Sequence, residues 1–470
     1  MKLYFRECRR IATSLIYYFF IGIIFFSWFQ NFRGITQSEI KMASSGINNG
    51  NTQFERPLLK EPAKNDEYFG SKTSEDNPEM IMMGVTRVLL MEYRNNSYQT
   101  YPLGYYKAIT LNESDQKRVL EILCEITGLM EKQLKNLPKG YFPNVTGTVF
   151  STDDDVSFDE NGATIFQTGS DNEKDDVENS EVDKTKKFVS QVDYKQFKKL
   201  MREMETIIGE KGSRYSEEMM ITYFGISEMN YEEACVEYEQ TIQNDKVTGG
   251  FARLFCDYMG LALGLYPIFV IAIMWLKDRI SNMTELIYSR TVSSGKLVVS
   301  RYMASITMVL MPVLLLSFES LIPLMSFGAK NSISVDCFAY IKYILWWLLP
   351  TVMIVSAIGM FFTLLTDSPF AIILQFLWWF IETGVTGVSG DTKITTLMIR
   401  HNTLRGREII EEGFSTIGIN RLLIAGIAIL FVILSIWILQ QKRKGRINAA
   451  NIYRKCMEYF KSKFSFSNTK

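Results

Sequence analysis

Apolar residues along this chain are gathered into blocks rather than spread. Six runs are long enough to cross a bilayer, which takes about 20 residues of helix. They cover residues 11–30, 256–276, 303–327, 340–365, 370–388 and 421–440. A soluble chain would distribute such residues over amphipathic faces with a helical or alternating period. The first run is longer than the apolar core of a cleaved signal, about 7–15 residues, and no small-residue cleavage pattern follows it. It reads as a retained helix. Ahead of it, residues 1–10 mix Leu3, Tyr4 and Phe5 with Arg6, Arg9 and Arg10. Leu3, Tyr4, Phe5 and Ile11 at an interface, with the arginines reaching headgroups, is one reading; a plain basic flank is the other.

Residues 31–254 separate the first two runs and are too many for a plain loop. Their first part, 31–75, is rich in Ser, Asn, Gly and Lys and is expected to be extended. From Met80 to Met91 the chain is almost continuously apolar, so a helix and a buried strand both fit; as a strand it would pair with Tyr101–Leu111. Clearer helices follow. One starts at Ser114 as N-cap, lines up Val119, Ile122, Leu123 and Ile126, and stops near Gly128. Another spans Asp193–Ile208 with Phe197, Leu200 and Met204 on one face, and a third covers Tyr231–Gln243. Between them, Asp153–Asp183 holds twelve acidic residues and one lysine. Too few apolar residues interleave these to order the chain, so a flexible insert is expected over about 150–186. Asp153, Asp154, Asp155, Asp159 and Glu160 offer hard oxygens for calcium, but without the spacing of a calcium-binding loop.

Charge adds orientation. The 51 Lys and Arg balance 51 Asp and Glu, so the basic excess of a nucleic-acid binder is missing. Lys2, Arg6, Arg9 and Arg10 precede the first run. Lys277, Arg279, Arg290, Lys296 and Arg301 lie between the second and third, and Lys442, Arg443, Lys444 and Arg446 follow the sixth. With six crossings all three sets fall on one side, which makes both termini cytoplasmic. The fold class is then an all-α polytopic membrane protein. Six transmembrane helices carry a large, mainly helical extracytoplasmic domain between helices one and two, and 441–470 form a basic cytoplasmic tail. One segment conflicts: 389–420 should be external, yet holds Lys393, Arg400, Arg405 and Arg407. The six cysteines include no C-x-x-C pair; Cys124 and Cys235 share the external domain, where pairing and free thiols both fit.

Familiar chemistry is missing. Gly295-Lys296 is followed by Leu297 and lacks the upstream glycine of a phosphate-binding loop. There is one histidine, His401, and no G-x-S-x-G or H-E-x-x-H pattern. The chain is expected to be neither an enzyme nor the holder of a cofactor. Two carboxylates fall inside apolar runs: Glu319, between Pro312 and Pro323, and Glu382. Either they line a substrate path, or they lie close enough to the interface to stay hydrated. The polar stretch 277–302, pinned between two apolar runs, suits a contact on which a partner pushes. A sensor that relays signals from the external domain without transport is the competing reading.

The stretch Glu285-Leu-Ile-Tyr-Ser-Arg-Thr-Val-Ser-Ser-Gly-Lys, followed by Arg301-Tyr302, resembles the loop between the second and third spans of ABC-2 type ABC transporter permeases. Thr291-Val292-Ser293-Ser294 stands where that family often has a proline. Ile419-Asn420-Arg421 through Gln440-Gln441-Lys442-Arg443 resembles the last span of such permeases in Gram-positive bacteria. The resemblance covers 1–30 and 250–446. It implies the membrane subunit of an exporter in a bacterial plasma membrane, paired with a second permease subunit, alike or different. Separate ABC ATPase subunits would bind and use the ATP. Residues 277–302 would be the coupling segment, with Glu285, Arg290, Lys296 and Arg301 at the contact, Glu319 and Glu382 on the path, and 389–420 external or re-entrant.

Overall fold

Helices begin and end where capping residues and runs of apolar side chains place them. The computed structural model describes residues 1–45, 56–101, 106–138, 141–142, 156–158, 164–166, 187–209, 212–289, 291–385 and 393–447. The five calcium candidates, Arg290 and the tail beyond 447 lie outside the described residues. The chain divides into two compact units: residues 1–47, 57–60 and 236–470, and residues 48–56 and 61–235. The second unit is narrower than 31–254. The first opens with α1 (Lys2–Ala12), α2 (Leu15–Asn31) and α3 (Ile35–Ser45). Helix α3 occupies ground expected to be extended.

The 61–235 unit is mainly helical. Strand β1 (Ser71–Thr73) leads to α4 (Pro78–Asn95). Here the continuous apolar run resolves as a helix, because Asn77 accepts from the Met80 N–H at 3.2 Å and Pro78 fills the first helical position. The pairing of 80–91 with 101–111 therefore does not form. Instead β2 (Tyr98–Thr100) pairs antiparallel with β3 (Lys107–Ile109), Tyr98 opposite Ile109. Next come α5 (Glu113–Thr127) and α6 (Glu131–Lys135). The cap of α5 is Asn112, which accepts from Asp115 N at 2.9 Å, rather than Ser114; Gly128, at φ 68°, ends it as expected. Within the acidic insert, β4 (Val156–Phe158) and β5 (Thr164–Phe166) form a small antiparallel pair where no order was expected. Helix α7 (Tyr194–Ile208) starts at its Asp193 cap and ends at Gly209. Helix α8 (Glu217–Phe224) and β6 (Ile226–Glu228) follow, and β6 pairs with β1. Val85, Leu89, Val119, Ile122, Phe197 and Met204 are wholly buried at the centre. Cys124 and Cys235 are free thiols, so the pairing option is not taken.

One buried acid in this unit sets a pH dependence. Glu92 on α4 accepts from Gln99 N at 3.1 Å and from the Tyr215 hydroxyl. Tyr98 and Arg214 are the other titratable groups facing it. Burial pushes its carboxyl from the ordinary 4.5 up to about 7, against the opposing pull of those hydrogen bonds. A folded acid that holds its proton to higher pH than the unfolded one stabilises fully below about pH 4.5. That contribution is lost as pH rises through 7. The loss is on the order of 3 kcal/mol. Hydrogen exchange of α4 amides, corrected for intrinsic rates, should speed up between pH 5 and pH 8, and Glu92→Gln should flatten the difference. Equal pH sensitivity in both proteins would remove Glu92 as its source.

Helix α9 (Tyr231–Glu239) leads out of that unit, and a π-helical turn, Gln240–Asn244, continues it. Then come α10 (Thr248–Leu263), α11 (Pro267–Ile280), the short α12 (Thr284–Tyr288) and α13 (Ser294–Asn331). Helix α14 (Ala339–Tyr343) passes through a π turn, Ile344–Leu348, into α15 (Leu349–Thr366). The remainder is α16 (Phe370–Val385), α17 (Arg407–Glu412) and α18 (Phe414–Arg443). Among the described residues, four helices are long and apolar enough to cross a membrane: Leu15–Ser44, Ser294–Asn331, Ala339–Thr366 and Phe414–Arg443. The pair α10–α11, bent by 42°, makes a fifth if counted as one span. Of the apolar run at 370–388, the described residues place Phe370–Val385 in α16, about 24 Å of helix against a 30 Å hydrocarbon core. Phe26, Leu315, Ile373 and Leu422 are each more than half exposed, a surface that lipid covers and water does not. The protein is membrane-embedded. Its core lies where α15 packs along α18 and α10 and α11 fit beside them, with Phe251, Phe255, Ile268, Val298 and Val355 buried.

Candidate functional site

Two polar constructions sit in the 236–470 unit with its N-terminal helices, one at each end of the bundle. The first is at the end where α1 meets the start of α13 and the end of α18. Helix α1 turns Leu3, Glu7, Arg10 and Ile11 inward, a face at helical spacing. Two of those four are charged, and both are matched. Arg10 Nη2 donates to Asp278 Oδ1 at 2.6 Å and to the Met274 carbonyl at 3.2 Å. Arg301, on α13, meets the other Asp278 oxygen at 2.7 Å and Glu7 at 3.4 Å, and its guanidinium lies 4.8 Å from the Trp275 ring centre. Two cations and two carboxylates thus neutralise each other and bind α1, α11 and α13 together. Beside them Asp367, past the end of α15, takes Lys442 of α18 at 2.7 Å and accepts Arg279 on its carbonyl. Arg443 Nη1 donates to the Val292 carbonyl at 2.6 Å, which ties α18 to the segment before α13.

From this clamped base the 281–293 segment projects, and α12 carries Glu285 and the half-exposed Leu286. The charged stretch 277–302 is therefore half helix end, and 281–293 is the connector. Glu285 and Lys296 are exposed, and the Ser293 side chain caps the first turn holding Lys296, accepting from its N–H at 3.3 Å. Arg290 lies outside the described residues. Arg301 does not belong with them. It is 3% exposed and ion-paired within the chain, so the expectation that it meets a partner is corrected. Arg10 likewise faces inward rather than toward headgroups.

The second construction holds residues 393–413 against the bundle. Asp257, on α10 and wholly buried, accepts from the His401 and Asn402 N–H groups at 2.5 Å each and pairs with Arg400 at 2.6 Å. Asp245 grips Arg253 with both oxygens, at 2.6 and 2.5 Å, and also takes Arg407 at 2.8 Å. Arg405 pairs with Glu237 at 2.9 Å. Arg421, 3% exposed at the start of the last long helix, donates to the carbonyls of Trp347, Thr396 and Leu397 at 2.9–3.3 Å. The Trp347 carbonyl belongs to the π turn just before Pro350, which supplies no N–H of its own. His401 Nε2 donates to the Arg405 carbonyl at 2.6 Å. Close approach is built in at Gly250, where any Cβ would stand 2.5 Å from the Leu404 carbonyl oxygen. The turn that presents Asp245 is strained: Lys246 and the β-branched Val247 both sit at positive φ, 46° and 67°.

Neither path candidate meets the other here. Glu319 accepts from Gln37 of α3 at 3.1 Å, and Glu382 accepts from Leu397 N at 3.2 Å. Among the described residues no three His, Cys, Asp or Glu side chains cluster to hold a metal ion. The structure thus joins Arg301 to Arg10, read from the sequence as a flanking charge, and to Glu7 and Asp278, which pattern reading missed. It also exposes a second missed set: Asp245, Arg253, Asp257 and Arg421. A signal existed for both. Glu7 is the lone acid of a basic helix, and Arg253 and Asp257 stand four apart within an apolar helix. No family model, characterised protein or solved structure matches this chain.

Proposed function

We propose that this chain is the permease subunit of an ATP-driven ABC-2 type exporter in a bacterial plasma membrane. It draws energy from separate ATPase subunits and pairs with a second permease subunit. Six crossings are reached when α10–α11 counts as one span and α16 as another. Both termini and the 281–293 segment then face the cytoplasm, and the 61–235 unit is extracytoplasmic. The observation that carries this reading is α12. It stands exposed between α11 and α13, whose ends are bound to α1 through Arg10, Asp278, Arg301 and Glu7. A displacement applied at α12 passes to three helices as one body, because their ends are joined by buried ion pairs and not by a loose loop.

The test is purification of the complex from its native host after mild solubilisation. An ATPase subunit should copurify, and Glu285→Arg should lower its recovery by roughly tenfold while membrane insertion is unchanged. Recovery of the intact chain with no ATPase subunit would sink the reading. The separate partners of Glu319 and Glu382 favour a second one: a transmitter that uses ATP hydrolysis to move the extracytoplasmic unit and passes no substrate. Transport by the reconstituted complex decides between them.

A further inference from the structure

A cavity of about 380 Å³ opens beside the Arg10–Asp278–Arg301 cluster, between α1, the connector that carries α12, and the ends of α11 and α18. Its size falls within the range of ligand sites, about 300–1,000 Å³. Five cationic side chains line it, Arg6, Arg10, Lys277, Arg301 and Arg443, against two carboxylates, Glu7 and Asp278. Arg10 and Arg301 are consumed by those carboxylates. The remaining charge belongs chiefly to Lys277 and Arg443, for which the described residues supply no acid. Arg443 spends Nη1 on the Val292 carbonyl, while its Nε and Nη2 are buried and find no hydrogen-bond partner among the described residues. Those two nitrogens form one edge of the guanidinium fork, the edge that grips two oxygens of a phosphate side by side. A buried donor pair left open in this way is costly unless an acceptor comes from beyond the described residues. The other wall is aliphatic: Leu3, Leu286, Ile287, Val292 and Leu297.

The geometry points to a binding site for a phosphate ester with an apolar tail, the headgroup of an anionic phospholipid from the leaflet at this end of the bundle. Arg443 takes the phosphate through Nε and Nη2, Lys277 adds a second positive charge, and the aliphatic wall receives the glycerol and first acyl carbons. One lipid would then touch α1, α11, α18 and the 281–293 segment together, and its occupancy would set how firmly that segment is held. The inference rests on the membrane placement of this end and not on any ATPase.

The experiment is native mass spectrometry of the full-length protein in detergent, titrated with palmitoyl-oleoyl phosphatidylglycerol or phosphatidylcholine. Phosphatidylglycerol should bind roughly tenfold tighter. R443Q should abolish that preference, K277Q should weaken it, and Arg443→Lys, which keeps the charge but loses the fork, should fall between. Because R443Q also loses the Val292 contact, K277Q serves as the variant that leaves every observed hydrogen bond in place. Equal binding of the two lipids would overturn the site, as would an undiminished preference in both R443Q and K277Q. Soluble sn-glycerol 3-phosphate provides the third arm. Binding of that compound as tightly as the lipid would assign the cavity to a soluble phosphate ester and overturn the lipid assignment.

Discussion

Asp257→Ala should cost the protein about 4 kcal/mol of stability, the scale set by removing one partner of a buried ion pair. The size follows from what is left behind. Arg400 loses the carboxylate 2.6 Å from its Nε, and the His401 and Asn402 N–H groups lose their acceptor in one step. All three lie in the same short segment, so the damage concentrates there. Asp257→Asn keeps one acceptor oxygen and removes the charge, so it should retain part of the stability. Two measurements read the effect: the thermal midpoint in lipid nanodiscs, and tryptic cleavage after Arg400, Arg405 and Arg407. Those arginines are held by Asp257, Glu237 and Asp245 in the intact protein. Cleavage there tracks local opening, and a loss of about 3 kcal/mol or more in that opening raises it by roughly a hundredfold. An unchanged midpoint with continued protection would mean that the 393–413 segment is held by its apolar contacts alone.

The same segment shows where sequence reading stops. Its three arginines conflicted with the orientation rule because that rule counts charges free to interact with the membrane surface. Paired with Asp257, Glu237 and Asp245, they are neutralised, but their partners stand up to 168 residues away and no spacing announces them. Local physics was legible: the Gly128 stop and the helix over Asp193–Ile208 use neighbours within a turn or two, and the long apolar runs need no partner to be seen. The run from Met80 to Met91 was ambiguous because continuous apolarity carries no period. The deciding Asn77-Pro78 cap lies just outside it. At the candidate coupling site Glu285 and Lys296 were proposed from charge and position, and both are exposed. Arg301 was found for the wrong reason, since a charge flanking a span reads alike whether it faces a partner or closes a buried cluster. Glu7 and Asp278, which decide between those cases, are brought beside it only by folding.

Arg301→Glu should be the most damaging single change at that end, costing about 4–5 kcal/mol and much of the folded yield. It removes a cation shared by Glu7 and Asp278 and puts a third carboxylate between them, in a place only 3% exposed. Arg301→Gln should cost far less, about 1–2 kcal/mol, because Arg10 still lies within 2.6 Å of Asp278 and 3.6 Å of Glu7. Adding Asp278→Arg to Arg301→Glu restores one opposite-charge contact between α11 and α13. A double-mutant cycle on thermal midpoints should therefore show a coupling of about 2–3 kcal/mol, incomplete because Glu7 and Arg10 keep their original signs. No coupling would dissolve the claim that the ion pairs join these helices. The milder Arg301→Gln also separates binding from transmission. If α12 receives the push and the buried cluster passes it on, Arg301→Gln retains the ATPase subunit but weakens the dependence of transport on ATP hydrolysis. On the same proposal, Glu285→Arg should lose the subunit itself. Identical behaviour of the two variants would overturn this division between docking and transmission.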